Sequence, residues 1–170
     1  LAAQPGISSI TPFEHYLNNN IVATNNLLQE ARKSKVKMFI NIATSSVYGA
    51  HATGDETTEP KPTSYYGVTK LAAEQLALAY CRDEGFPAAS ARLFSVYGER
   101  ERPEKLYMKL IDSILNDKPF PIREGSEEHV RSYTYVGDII DGLILMMENF
   151  DRCVGEIFNL GTDQVSTTGE

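Results

Sequence analysis

Tyr66 and Lys70 are the residues of this sequence whose types and spacing most directly suggest chemistry. They lie in SYYGVTK (64–70), four positions apart, and on a helix that spacing puts one above the other on a single face. An ammonium in that place stabilises a phenolate and draws the phenol's pKa down from its usual value of about 10. A tyrosine so tuned can take and return a proton near neutral pH. The chain holds nine tyrosines. A single Tyr–Lys pair at this spacing is therefore common on ordinary helix surface, and the heptapeptide needs corroboration from its surroundings.

The elements around it supply that. Thr11-Pro12-Phe13-Glu14 reads as a helix start, with a threonine N-cap, proline at the first helical position and glutamate closing a capping box. Phe13, Leu17, Ile21, Thr24, Leu27, Leu28 and Ala31 continue at helical spacing to about Lys33. VKMFINIAT (36–44) is an apolar run of strand length, of the kind buried on both faces in a parallel sheet. Residues 48–63, rich in Gly, Thr, Pro and Asp, read as a long loop. The helix of Tyr66 and Lys70 continues through Leu71, Ala72, Gln75, Leu76 and Ala79 and stops at Gly85. PAASARLFSV (87–96) reads as the next strand.

Helix, strand, helix, strand in this order implies right-handed crossovers and an α/β fold with a doubly wound parallel sheet. Ligands of such sheets sit beyond the carboxyl ends of the strands. Thr44 to Tyr48, Tyr66 and Ser95 to Tyr97 are therefore expected to face one crevice. Beyond Gly98 a charged stretch, GERERPEK, leads into an amphipathic helix at about 104–116 through Leu106, Leu110, Ile111, Ile114 and Leu115. An extended PFPI (119–122) follows, and RSYTYV (131–136) alternates as a strand. Asp138 then opens a helix with Ile139, Ile140, Leu143, Ile144 and Met147 facing inward, and Met146 and Met147 read as core. EIFNLG (156–161) reads as a last buried strand.

Composition narrows the class. The chain has 170 residues, 42% hydrophobic and 23% charged, which argues against disorder. A net charge of −7 argues against a sequence-independent nucleic-acid binder, so any bound anion needs a local arginine cluster. Cys81 and Cys153 lack CxxC spacing and read as reduced thiols of a cytoplasmic protein. His15, His51 and His129 match no zinc spacing, so no metal site is expected. No apolar run approaches membrane-spanning length, and no membrane partner is expected. The sequence opens LAAQPG and closes VSTTGE, and both ends read as cut from a longer chain.

ATSSVYG, YGVTK, ARLFSVYG and RSYTYVGD, in this order and spacing, resemble the extended short-chain dehydrogenase/reductases of the NAD-dependent epimerase/dehydratase family. Within it they look most like the UDP-glucuronate and UDP-glucose 4-epimerases. The resemblance implies the C-terminal half of a Rossmann-like domain over 1–97 and part of a smaller sugar-nucleotide-binding domain over 98–135. It implies a helix and strand returning to the first domain over 136–161, and a truncated segment over 162–170. Tyr66 is then the catalytic base, and Lys70 its partner and a holder of the nicotinamide ribose. Thr44 falls where the family places a catalytic serine or threonine, relaying a proton between sugar and Tyr66. Ala2 and Ala3 match the strand end that packs on the NAD cofactor. Thr44, Ser45, Ser95 and Arg131 match substrate positions, with Arg131 gripping the diphosphate of a UDP-sugar. Asn20 matches an asparagine that is either structural or catalytic.

Several positions depart from the family pattern. The glycine-rich phosphate loop and the acidic residue that reads the adenosine ribose are absent from these residues, so the chain alone is expected to bind a dinucleotide poorly. Ser95 stands where many members have asparagine, and Gly137 where aspartate is common. The implied reaction is a redox-neutral 4-epimerisation, with hydride passing from sugar carbon 4 to NAD and returning to the other face. Family dehydratases place Asp-Glu directly after the catalytic threonine, and decarboxylases Ser-Glu. Here Ser45-Ser46 follow, with no carboxylate to abstract a second proton, which disfavours dehydration; a dehydratase or decarboxylase of the same family stays the alternative. Arg100 and Arg102 either select an acidic sugar or pair with Glu99, Glu101 and Glu104 on the surface. A further alternative is a catalytically silent module. Relatives pair as homodimers through the helices matching 12–33 and 64–84.

Overall fold

The computed structural model describes residues 3–8, 10–49, 54–120, 122, 125, 127–128, 130–167 and 169. Its core is a three-stranded parallel sheet in the order β1 (Phe39–Thr44), β2 (Ala88–Leu93), β6 (Ile157–Leu160). Phe39 aligns with Ala88 and Thr44 with Leu93, and Ser90 aligns with Ile157. β1 and β2 are joined through the helix α3 (Tyr65–Glu84), the crossover that a parallel pair requires. α3 starts where Ser64 accepts the Gly67 N–H at 3.1 Å, and ends at Gly85 in the left-handed conformation, φ +65°. Ala77 and Ala73 on α3 are fully buried. Ala77 joins Leu28, Phe86 and Ala88 in one apolar cluster. On the other side of the sheet Ala89 and Ala91 meet Met146, Phe150 and Cys153. Alanines on β2 let helices approach both faces closely, as the central position of a doubly covered sheet demands.

The helix before β1 departs from its expected start. α1 (Phe13–Tyr16) takes Pro12 as its N-cap, with no side-chain cap bond, so the Thr11–Glu14 capping box is not formed. The Thr11 N–H donates instead to the Ser8 hydroxyl at 3.1 Å. A π-helical stretch, Leu17–Val22, then links α1 to α2 (Ala23–Lys33).

The strand expected over 87–96 divides at Phe94. β2 stays in the main sheet, whereas β3 (Ser95–Tyr97) pairs in parallel with β5 (Tyr133–Tyr135). The run 131–136 divides similarly at Ser132, because β4 (Val130–Arg131) pairs antiparallel with β7 (Ser166–Thr167). Both runs are β-forming throughout, and the change of partner is a tertiary choice. α4 covers Leu106–Leu115 and α5 covers Val136–Glu148, so Asp138 lies in the first turn of α5 rather than at its cap. Ile139 and Met146 on α5 are buried, but Ile140, Ile144 and Met147 are about half exposed, against the inward orientation expected. α5 is apolar on more than one face, and periodicity cannot choose between them. Ile114 and Leu115 on α4 are likewise exposed. β6 is half-buried at every position and not fully enclosed, since it has one sheet neighbour among the described strands.

Candidate functional site

β1 ends at Thr44, and a 3-10 turn (Ser45–Tyr48) follows at once. Thr44 caps this turn by accepting the Ser46 N–H at 3.2 Å, and its hydroxyl lies 3.3 Å from the Ser46 hydroxyl. The Thr44 hydroxyl also acts on the half-buried Tyr66 phenol, favouring the ionised form. The first turn of α3 therefore faces the end of β1. Gly67 makes the approach possible, since a Cβ there would stand 2.7 Å from the Ser46 carbonyl oxygen.

Thr44, Ser45, Ser46, Tyr66 and Lys70 line one cavity of about 1340 Å³ with Ser95, Arg100, Arg102, Arg131 and Ala3. The structure thus brings together Ala3, Thr44, Ser45, Tyr66, Lys70, Ser95 and Arg131 of the expected site residues, while Ala2 lies outside the described residues. Val47 and Tyr48, expected at the same crevice, are buried instead, and Tyr97 packs against Tyr107 and Tyr135. The crevice is where a parallel sheet should hold its ligand, beyond the carboxyl ends of β1 and β2. Arg131 donates to the Val130 carbonyl at 3.0 Å and stays half-buried. Arg102 pairs with Glu104 at 3.2 Å, and the Tyr135 hydroxyl donates to Glu99 at 3.0 Å. Glu101 lines the same cavity, and its Oε2 is buried with no hydrogen-bond partner among the described residues, an acceptor poised for a donor.

The expected tuning of Tyr66 by Lys70 is not what the geometry shows. Burial pushes the Tyr66 phenol above its usual pKa, against smaller opposing effects from the Thr44 hydroxyl and the Arg102 guanidinium. Lys70 is itself buried, which pulls its ammonium below the usual lysine value, with Glu74 acting the other way. Its Nζ donates to the Ile42 carbonyl. β1 pairs only with β2 among the described strands, so its other edge is free to take that donor. The i, i+4 spacing placed the two side chains on one face, but it could not show that a strand edge competes for the ammonium.

Asn20, in the π-helical stretch, is 1% exposed and fully engaged. Its Oδ1 accepts the Gln4 N–H at 2.8 Å and its Nδ2 donates to the Thr69 hydroxyl at 3.0 Å. It fixes the segment that carries Ala3 to α3, a structural task. Glu74 and Arg92 were not singled out by the sequence, and Tyr48, expected at the crevice, is turned inward to Arg92. Glu74 repeats the Tyr66–Lys70 spacing once more, which was the available signal.

The sequence profile of the NAD dependent epimerase/dehydratase family matches residues 1–161, and the chain belongs to that family. It is 37% identical over 164 residues to an uncharacterized UDP-glucose epimerase, YtcB, of Bacillus subtilis, covering 95% of this chain and 51% of the relative. The crystal structure of UDP-glucuronic acid 4-epimerase from Bacillus cereus, in complex with UDP-glucuronic acid and NAD, matches with a TM-score of 0.89 at 37% identity. That match covers 98% of this chain and 54% of the other. The dTDP-glucose 4,6-dehydratase DesIV of Streptomyces venezuelae, with NAD bound, matches with a TM-score of 0.88 at 26% identity, over 98% of this chain and 52% of that one. The chain therefore spans about half the length of the relatives it matches.

Proposed function

We propose that the chain is the catalytic portion of an NAD-dependent nucleotide-sugar 4-epimerase. The observation that carries the reading is that Thr44 and Tyr66 line one cleft together with Lys70 and three arginines. This is an acid/base pair at one end of the cleft and an anion-binding wall beside it. The Bacillus cereus relative supports the substrate class, since its structure holds UDP-glucuronic acid and NAD.

The residues present fit one end of NAD. Ala3 has only a methyl group and leaves room in the cleft, and the Lys70 ammonium has donors beyond the one given to Ile42. The sequence holds no G-x-G-x-x-G, so these residues would hold the nicotinamide ribose and not the pyrophosphate. Bound NAD supplies a hydride acceptor, and later a donor, at sugar carbon 4.

Thr44 orients the reacting sugar hydroxyl and passes its proton to Tyr66 Oη, which returns it when the hydroxyl is re-formed. The ligand-free phenol is pushed up by burial, so it must be brought down for this task; Thr44 and Arg102 already act in that direction. Ser45 and Ser46 line the cleft directly after Thr44 and offer hydroxyls but no carboxylate to remove a second proton, which favours epimerisation over dehydration. Arg131, Arg102 and Arg100 would take the diphosphate and an acidic sugar group, tasks suited to planar charged forks. Ser95 would add a hydroxyl contact, and Glu101 Oε2 would accept from a substrate hydroxyl.

Pairing of two copies through the helices at 12–33 and 64–84 completes the reading. Phe13, Val22, Tyr65 and Val68 on these helices are exposed, and Phe13 stacks edge-on against Tyr65 at 5.3 Å. The test is to purify a parent-length protein and release its bound nucleotide. Stoichiometric NAD is expected, and a parent that neither carries nor binds NAD would overturn the enzymatic reading.

A further inference from the structure

Tyr66, Lys70 and Glu74 follow one another at four-residue intervals along α3, so Glu74 lies on the catalytic face two turns beyond Tyr66. It is wholly buried. Arg92 on β2, 2% exposed, grips it with a two-pronged fork, Nε to Oε2 at 2.9 Å and Nη2 to Oε1 at 2.7 Å. The remaining arm of the guanidinium donates to the Tyr48 hydroxyl at 2.7 Å and lies 4.9 Å from the centre of that ring. The Tyr48 hydroxyl donates onward to Asn159 Oδ1 on β6 at 2.8 Å, and Asn159 Nδ2 donates to the Gly54 carbonyl at 3.0 Å. Ser90 adds a hydrogen bond to Glu74 Oε2 at 3.1 Å and accepts one from Asn41 at 3.2 Å.

Tyr48 is the last residue of the 3-10 turn that begins directly after Thr44. The chain of bonds therefore starts on the helix that carries Tyr66 and Lys70 and ends on the turn that carries Thr44, Ser45 and Ser46. We propose that Glu74, Arg92 and Tyr48 are positioning residues, a bracket that sets the Thr44–Ser46 turn at its working distance from the Tyr66–Lys70 helix. Only its kinetic consequence rests on the epimerase reading; the geometric claim stands by itself.

Two physical arguments support the bracket. A buried ion pair is a poor source of stability, since apolar side chains of like volume often serve as well. What they cannot supply is a planar fork that fixes the angle and distance between three elements at once. The second argument is the closeness of the two parts at Gly67, where no room for a Cβ remains beside Ser46. At such an approach a small displacement matters, because misplacing a reacting group by about 1 Å can cost roughly a hundredfold in rate.

The test uses Tyr48→Phe in the parent-length protein, which keeps the ring under Arg92 and removes the hydroxyl that joins Arg92 to Asn159. Tyrosines labelled with carbon-13 are titrated by NMR, with Tyr66 assigned through Tyr66→Phe. The groups facing that phenol are the Thr44 hydroxyl, the Arg102 guanidinium, Tyr16 and, one turn along, Lys70. A slackened turn weakens the influence of the Thr44 hydroxyl that favours the phenolate, so the titration should move up by about half a pH unit or more. Turnover should fall about tenfold with KM for the sugar nucleotide within about twofold. Arg92→Lys, which keeps the charge and loses the fork, should repeat both shifts. An unchanged Tyr66 titration in Tyr48→Phe overturns the bracket, whatever happens to turnover. A shifted titration in a protein whose unsubstituted form turns over no sugar nucleotide supports the bracket and sinks the epimerase reading.

Discussion

Lys70 gives its ammonium to the carbonyl of Ile42, two positions before Thr44, on the edge of β1 that has no neighbour among the described strands. The catalytic helix is thereby tied to the strand whose end it serves. Lys70→Met keeps the length of the side chain and removes the donor and the charge. Stability should change by less than about 1 kcal/mol, because a lost hydrogen bond of that size is offset by relief of a buried charge. Turnover and NAD affinity should both fall at least about tenfold. Burial lowers the folded-state pKa of Lys70 below its unfolded value. Between those two values the unfolded chain binds the extra proton, so stability rises with pH there. Urea melts across the alkaline range should show that rise in the unsubstituted protein and a smaller one in Lys70→Met.

Tyr66→Phe removes the proton carrier and leaves the ring. Turnover should drop about a hundredfold or more, the scale of a lost general acid/base, while NAD binding changes little. Steady-state kinetics beside a fluorescence titration of NAD would separate the two. Near-normal turnover would show that the Tyr–Lys spacing marks only a helix face.

Thr44→Val tests the phenol's partner. The Thr44 hydroxyl lowers the Tyr66 pKa against the stronger effect of burial, so its removal should raise the tyrosinate titration read by ultraviolet absorbance. The Tyr66 phenol has its folded-state pKa raised above the unfolded value near 10. The stability linked to it is full below that unfolded value and is lost as pH rises through the folded one. Thr44→Val should push that loss to higher pH.

Gly67→Ala would place a methyl 2.7 Å from the Ser46 carbonyl oxygen and 3.0 Å from Pro62 Cβ. Alanine favours a helix over glycine by about 1 kcal/mol, but overpacking against backbone costs roughly 1–3 kcal/mol. The expected net result is a protein destabilised by chemical melt, with turnover reduced more than the unfolded fraction explains.

Much of this site was legible before the fold was seen. α3 announced itself through its apolar spacing and the glycine that stops it, and β1 through a short, mostly apolar run of strand length. Once those two were in order, the rule for parallel sheets placed Thr44 and Tyr66 at one crevice. The direction of Lys70 was not legible, because it depends on a carbonyl at a sheet edge with no strand neighbour among the described residues. The break at Phe94 was hidden for a related reason: its N–H bonds Leu160 while Ser95 turns to the Ser132 carbonyl, and both partners are more than thirty residues away. The inward aspect of α5 was misread at Ile140, Ile144 and Met147, since a helix apolar on several faces gives periodicity nothing to select. The Glu74–Arg92–Tyr48 chain joins residues from three elements, and no local pattern encodes it.

The most direct test of the central claim incubates the parent-length protein with UDP-glucuronate and with UDP-glucose in separate reactions. Products are resolved by NMR while NADH absorbance is followed. Conversion of one of them to its 4-epimer with no net NADH is the predicted result. A 4-keto-6-deoxy sugar, a pentose, or no turnover of either would contradict it.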